Sequence, residues 1–162
     1  MKKTKEIISD KVSAVNQILP HTNKWAWDLF IDGAANNWMP TEISMAKDIE
    51  QWRGDSLTED EKLVIKRSLG FFAGSESLVA NNLLLSVFKF VTDPECRQYI
   101  LRQAYEESLH NLTVVYCCDS LGLDIEEVYE AYNSIPSIKA KDTFLMNICT
   151  DINRVDFNIN TL

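Results

Sequence analysis

Three side chains in this sequence have the types and spacing to hold a metal ion: Glu76, Glu107 and His110. In Glu107-Ser108-Leu109-His110 an imidazole follows a carboxylate by three residues, which on a helix makes the two neighbours on one surface. Glu107 falls on the helical row Ile100, Ala104, Asn111, Val114, Cys118, Leu121, and Glu76 on the row Ile65, Leu69, Phe72, Leu83, Val87. A carboxylate buried alone costs several kcal/mol unless it is protonated, paired with Lys or Arg, or bound to a metal. Few basic residues share these rows. A Glu-x-x-His pair facing a Glu on a neighbouring helix is half of the ligand set of carboxylate-bridged di-iron and di-manganese bundles. Carboxylate oxygens with imidazole nitrogen suit iron or manganese. Because Glu-x-x-His also occurs by chance on surface helices, the competing reading pairs Glu107 with a Lys or Arg from another helix and leaves His110 on a half-exposed flank. Glu106 reads as a surface group or as one that supports the ligands from behind.

The elements that must carry these residues can be read from periodicity and caps. Residues 1–23 form an N-terminal arm, with weak helical spacing up to Leu19 and a stop at Pro20; His21 then lies in a loop before the first helix, solvated or capping. Trp27, Phe30, Ile31, Ala34, Ala35 and Trp38 recur every three or four residues, so a helix is expected from Lys24 to Asn37, stopping before Pro40. Residues 41–56 read as a mostly irregular connector with room for a short helical turn. Thr58 and Glu61 form a capping box that opens a long helix to about Val91, bent near Gly70 or Gly74. Asp93-Pro94 opens the next helix, which ends at Gly122. Asp124 with Glu127 caps a helix to Tyr132, Ser134-Ile135-Pro136 closes it, a final helix covers 137–150, and 151–162 reads as a loop.

Composition narrows the functional classes. With 162 residues the chain is one domain's worth, and its 5 Gly and 4 Pro favour long helices over a many-turned sheet. The net charge of -8 repels a phosphate backbone, and the one basic cluster is Lys2, Lys3, Lys5, which argues against nucleic acid. Cys96, Cys117, Cys118 and Cys149 show no CxxC or disulfide framework, and no signal peptide opens the chain, so a reducing cytoplasm is expected. The adjacent Cys117 and Cys118 read as small buried hydrophobes. The longest apolar run, Leu83 to Val91, contains Ser86 and Lys89 and is well short of the roughly 20 residues of a membrane span.

Four ordered blocks then resemble one family. Trp38-Met39-Pro40-Thr41-Glu42-Ile43, Leu57 to Lys62, Gly70 to Asn82, and Pro94 to Gln98 through Tyr105-Glu106-Glu107-Ser108-Leu109-His110 together are similar to the small, radical-generating subunit of ribonucleotide reductase, over about residues 24–150. The resemblance implies an all-α, ferritin-like di-metal carboxylate bundle, of which 24–150 would be the N-terminal half, split or truncated. It implies that Glu76 is the first-helix carboxylate ligand, Glu107 the bridging carboxylate, His110 the histidine of the first metal, and Trp38 the electron relay towards the large subunit; for an isolated Trp, core packing is the ordinary role. Many family members have Asp at the position of Glu76 and a radical-bearing Tyr at the position of Val114. Glu at the first and no Tyr at the second resembles the subgroup that stores its oxidising equivalent on a manganese-iron pair, although those proteins usually place Phe at the second. Tyr116, about 200° of helical rotation beyond Val114, is expected to point away and pack.

The family's second half carries one more Glu, another Glu-x-x-His and a tail that docks on the large subunit; no histidine follows His110 here. The expectation is therefore a di-metal centre, manganese-iron or di-iron, shared with a complementary C-terminal small-subunit fragment. The expected partners are that fragment, the large subunit, and a second copy of the assembled small subunit, with neither nucleic acid nor membrane. Two rivals are a metal-free scaffold that stabilises a partner fragment and a related di-metal oxidase or storage bundle.

Overall fold

The computed structural model describes residues 6–9 and 14–154. Expectations for the arm at 1–5 and 10–13, and for the terminal loop at 155–162, lie outside them. The described residues build helices and no named strand; the extended arm makes one isolated bridge, Ile8 to Val91. No described helix is long and apolar enough to cross a membrane. The chain divides into two compact units, one of Met1–Asn37, Val79–Glu106 and Ile148–Leu162, the other of Trp38–Leu78 and Glu107–Asn147. Two long helices, α3 (Glu59–Asn82) and α4 (Pro94–Leu121), contribute to both.

In the first unit, α1 (Lys24–Ala35) buries Ala26 against Val91, Cys96 and Ile100. Its amino end lacks a side-chain cap of its own. Glu95, fully buried, supplies one from α4: its Oε2 accepts the Thr22 and Asn23 N–H groups at 2.9 and 2.8 Å, and its Oε1 lies 2.7 Å from His21 Nδ1. His21, its side chain 29% exposed, is thus not itself the cap; it is the hydrogen-bond partner of a carboxylate that is. Burial pushes the Glu95 carboxyl up, but the hydrogen bonds from Asn23, Thr22 and His21 outweigh it and hold the group below the ordinary glutamate value. Charge-assisted bonds of this kind are worth about 1.5–3 kcal/mol each, and losing the carboxylate strands the donors facing it. Glu95→Ala is accordingly expected to cost about 3 kcal/mol or more in a urea titration, and Glu95→Gln clearly less.

The second unit holds α2 (Ala46–Arg53), the first part of α3, the last part of α4, α5 (Ile125–Tyr129), α6 (Ala131–Ser134) and most of α7 (Pro136–Ile152). Ala73, Val114, Cys118 and Val128 form its core, with Leu69, Leu123 and Tyr129 packed around them. The capping box forms as expected: the Thr58 N–H donates to Glu61 Oε2 at 2.8 Å and the Glu61 N–H to Thr58 Oγ1 at 3.3 Å. Gly122 ends α4 at φ 66°, and Asp124 caps α5 by accepting from the Glu126 and Glu127 N–H groups.

Three expectations about the elements are corrected. The stretch 41–56 is not mostly irregular: a 3₁₀ turn at Pro40–Glu42 precedes α2, whose Ile49 and Trp52 continue a half-buried row from Met45. That row is only eight residues long, too short to stand out among the polar residues around it. The long helix is α-helical through both glycines, and its irregularity is a π turn at Leu83–Val87. Gly70 instead permits close approach, since a Cβ there would stand 2.5 Å from that of Ala131. The helix expected to run to Tyr132 is divided at Glu130 into α5 and α6.

Candidate metal centre

Glu76, Glu107 and His110 meet within the second unit, Glu76 from α3 and the other two from α4. Their donor atoms lie within 4.8 Å of one another, and His110 Nδ1 is 3.2 Å from Glu76 Oε2 and 3.0 Å from Glu107 Oε2. One divalent ion with bonds of about 2.0–2.2 Å closes such a span after small side-chain rotations. Glu76 and Glu107 retain 17% and 13% of their side-chain exposure and His110 45%, so the carboxylates are sunk while the imidazole remains reachable. Among the described residues no Lys or Arg lies within ion-pair distance of either carboxylate, and the reading in which Glu107 has a basic partner finds no support.

The electrostatics of the group suit a cation. Burial, then the neighbouring Glu107, raises the Glu76 carboxyl above the ordinary value, against the pull of His110. Burial lowers the His110 imidazole, but the bonds and charges of Glu107 and Glu76 outweigh it and raise the group overall. Two carboxylates share one ring that is charged only when protonated, so a metal ion is the fuller solution to the same charge imbalance. The donor set, two carboxylates and one imidazole, fits iron or manganese.

A cavity of about 370 Å³ adjoins the ligands, lined by Glu76, His110, Trp38, Phe72, Val114 and Cys117 among others. Trp38 lies with its ring centroid 6.0 Å from that of His110 at 31°, beside the ligand rather than off in a separate core. Val114 is 5% exposed and borders the cavity. Tyr116 does not line the cavity; its hydroxyl donates to the Ile43 carbonyl at 2.8 Å. Cys118 is fully buried, and Cys117, half-buried, faces the cavity, two turns along α4 from His110; burial raises both thiols. In the first unit Glu106 is ion-paired with Arg102.

Sequence reasoning missed the residues that set the spacing of the two ligand helices. Asn111 Nδ2 donates to Ser77 Oγ at 2.7 Å, and the Tyr129 hydroxyl donates to Asn111 Oδ1 at 3.0 Å. Ser77 follows Glu76 and Asn111 follows His110, so this bridge fixes α3 against α4 at the level of the ligands. The available signal was polar residues adjoining both ligands in otherwise apolar rows.

Comparison with known proteins follows the same lines. The family model described as ribonucleotide reductase, small chain, matches residues 15–160. The ribonucleoside-diphosphate reductase subunit beta of Chlamydia pneumoniae is 52% identical over 147 residues, covering 91% of this chain and 42% of that protein. The ribonucleoside-diphosphate reductase small chain of Plasmodium falciparum is 28% identical over 155 residues, covering 94% and 44%. The protein thus spans less than half the length of these curated relatives. The solved R2 subunit from Clostridium botulinum superposes with a TM-score of 0.78 at 21% identity, over 93% of this chain and 51% of that one, which supports the ferritin-like all-helical fold. The paired carboxylates, the adjoining imidazole and the match across nearly the whole length place the chain in the ribonucleotide reductase small-chain family.

Proposed function

We propose that this chain contributes one half of the di-metal centre of a ribonucleoside-diphosphate reductase small subunit, which generates the oxidant that a large subunit uses to make deoxyribonucleotides. The observation that carries this reading is the convergence of Glu76, Glu107 and His110 with no Lys or Arg among the described residues to neutralise them. Glu76 and Glu107 hold the ions by their oxygens, His110 by a ring nitrogen, and Trp38 relays the electron. Bound metals supply the one-electron redox chemistry; the protein supplies geometry and a drier pocket. Val114, unlike a tyrosine, cannot hold a radical, and the metal pair that these residues would hold, manganese-iron by preference and di-iron otherwise, would supply the oxidising equivalent. The remaining ligands come from a further helical segment, on the same polypeptide or another, and the assembled subunit pairs with a second copy. Phe72, beside the ligands, is 45% exposed, which suits a face that such a segment covers. A reducing cytoplasm suits the four free cysteines.

The test is reconstitution with the C-terminal part of the Chlamydia pneumoniae relative, Mn(II) and Fe(II), oxygen, and a large reductase subunit. The expected result is reduction of a ribonucleoside diphosphate, abolished by Trp38→Phe with metal content unchanged. Full metal loading without turnover would favour an oxidase or storage role, and no metal uptake a scaffold.

A further inference from the structure

Asp142, on α7, is the second unit's other acidic side chain in an apolar setting, and it lies outside the ligand group. It is 2% exposed, and its Oδ1 has no hydrogen-bond partner among the described residues. The carboxylate borders a cavity of about 240 Å³ whose walls include Gly74, Ser77, Leu78, Tyr129, Tyr132 and Met146. A Cβ on Gly74 would stand 3.2 Å from Asp142 Oδ2, so one carboxylate oxygen rests on the α3 backbone where a larger residue would crowd it. Burial alone raises its pKa, since no neighbouring positive charge acts on it.

A buried carboxylate without a donor is costly, and the cost is removed by a cation or donor arriving from elsewhere. We propose that Asp142 and its cavity form the socket for one Lys or Arg side chain of the helical segment that completes the bundle. The cavity suits that chemistry: its walls are mostly apolar, matching the methylene stem of such a side chain, and a carboxylate stands ready for the charged head. The surroundings suit a protein partner more than a free amine, because Met146, which lines the cavity, is 42% exposed and Leu145 beside it 37% exposed. The net charge of -8 complements a basic anchor. This inference rests on the reading that a further segment covers this half of the bundle.

The experiment compares the parent protein with Asp142→Asn, using the C-terminal part of the Chlamydia pneumoniae relative as the probe. The parent binds the probe, and Asp142→Asn weakens binding by about tenfold or more, while the variant by itself keeps its helical circular dichroism and melts at the same or a higher temperature. A crystal structure of the parent assembly shows a Lys or Arg nitrogen within about 4 Å of the Asp142 carboxylate. Parent and variant binding equally, or a crystal structure with no such nitrogen, overturns the socket and leaves the proposed function standing. Failure of the parent to bind overturns both.

Discussion

Glu107→Gln is expected to weaken Mn(II) binding by at least about a hundredfold while leaving the metal-free protein no less stable than the parent. Losing even an outer partner of a metal ligand costs 10–100-fold in affinity, and Glu107 is itself one of the three proposed ligands. Glutamine keeps the shape but removes a negative charge that stands beside Glu76 and shares His110 with it. A residue that stabilises the fold and one that stabilises a bound ion therefore respond in opposite senses. Titration followed by the signal of free Mn(II), beside a thermal melt in chelator, reads both. Loss of stability with unchanged metal affinity would mark Glu107 as scaffold.

The second large effect is the pH dependence of that affinity. Glu76 and His110 must both lose their protons to bind an ion, and both are raised above their ordinary values of 4.5 and 6.5. Affinity for Mn(II) is therefore expected to climb by about tenfold per pH unit for each proton still to be displaced. The climb begins steeply in acid and flattens only above the raised value of His110, on the alkaline side of 6.5. The metal-free fold has the opposite slope from these groups. Each holds its proton more tightly folded than unfolded, so their contribution to stability is fully present below the ordinary values and is lost as pH rises through the raised ones. Glu95 works the other way: its lowered value contributes stability above 4.5 that is lost as pH falls through its folded value. Metal-free melts should therefore be highest in a mildly acidic window and metal-loaded melts at higher pH. An affinity independent of pH between 5 and 8 would remove these two groups from the ligand set.

The candidate site was legible because its signal is an inconsistency on a regular background. Glu76 and Glu107 interrupt apolar rows whose period is plain over many turns, and the structure brings those residues together with His110. Trp38 carried no such signal; its place beside His110 depends on a turn and a short connector, and the family resemblance alone pointed to it. The long helices were legible through their punctuation, the Thr58 and Glu61 box and Gly122. What stayed hidden is non-local. Glu95 sits in the first turn of α4, where acidic residues are common, and only folding shows that it caps α1 across more than seventy residues of sequence. His21 was misread for the same reason, because a loop histidine finds its partner only in three dimensions. Asp142 lay in a helix whose polar positions outnumber its buried ones, so nothing in the pattern distinguished it.

The most direct measurement is anomalous X-ray scattering at the manganese edge from crystals of this protein loaded with Mn(II). The peak should lie about 2.0–2.2 Å from one oxygen each of Glu76 and Glu107 and from a ring nitrogen of His110. A peak that misses Glu76 or Glu107, or manganese held only elsewhere on the surface, contradicts the account.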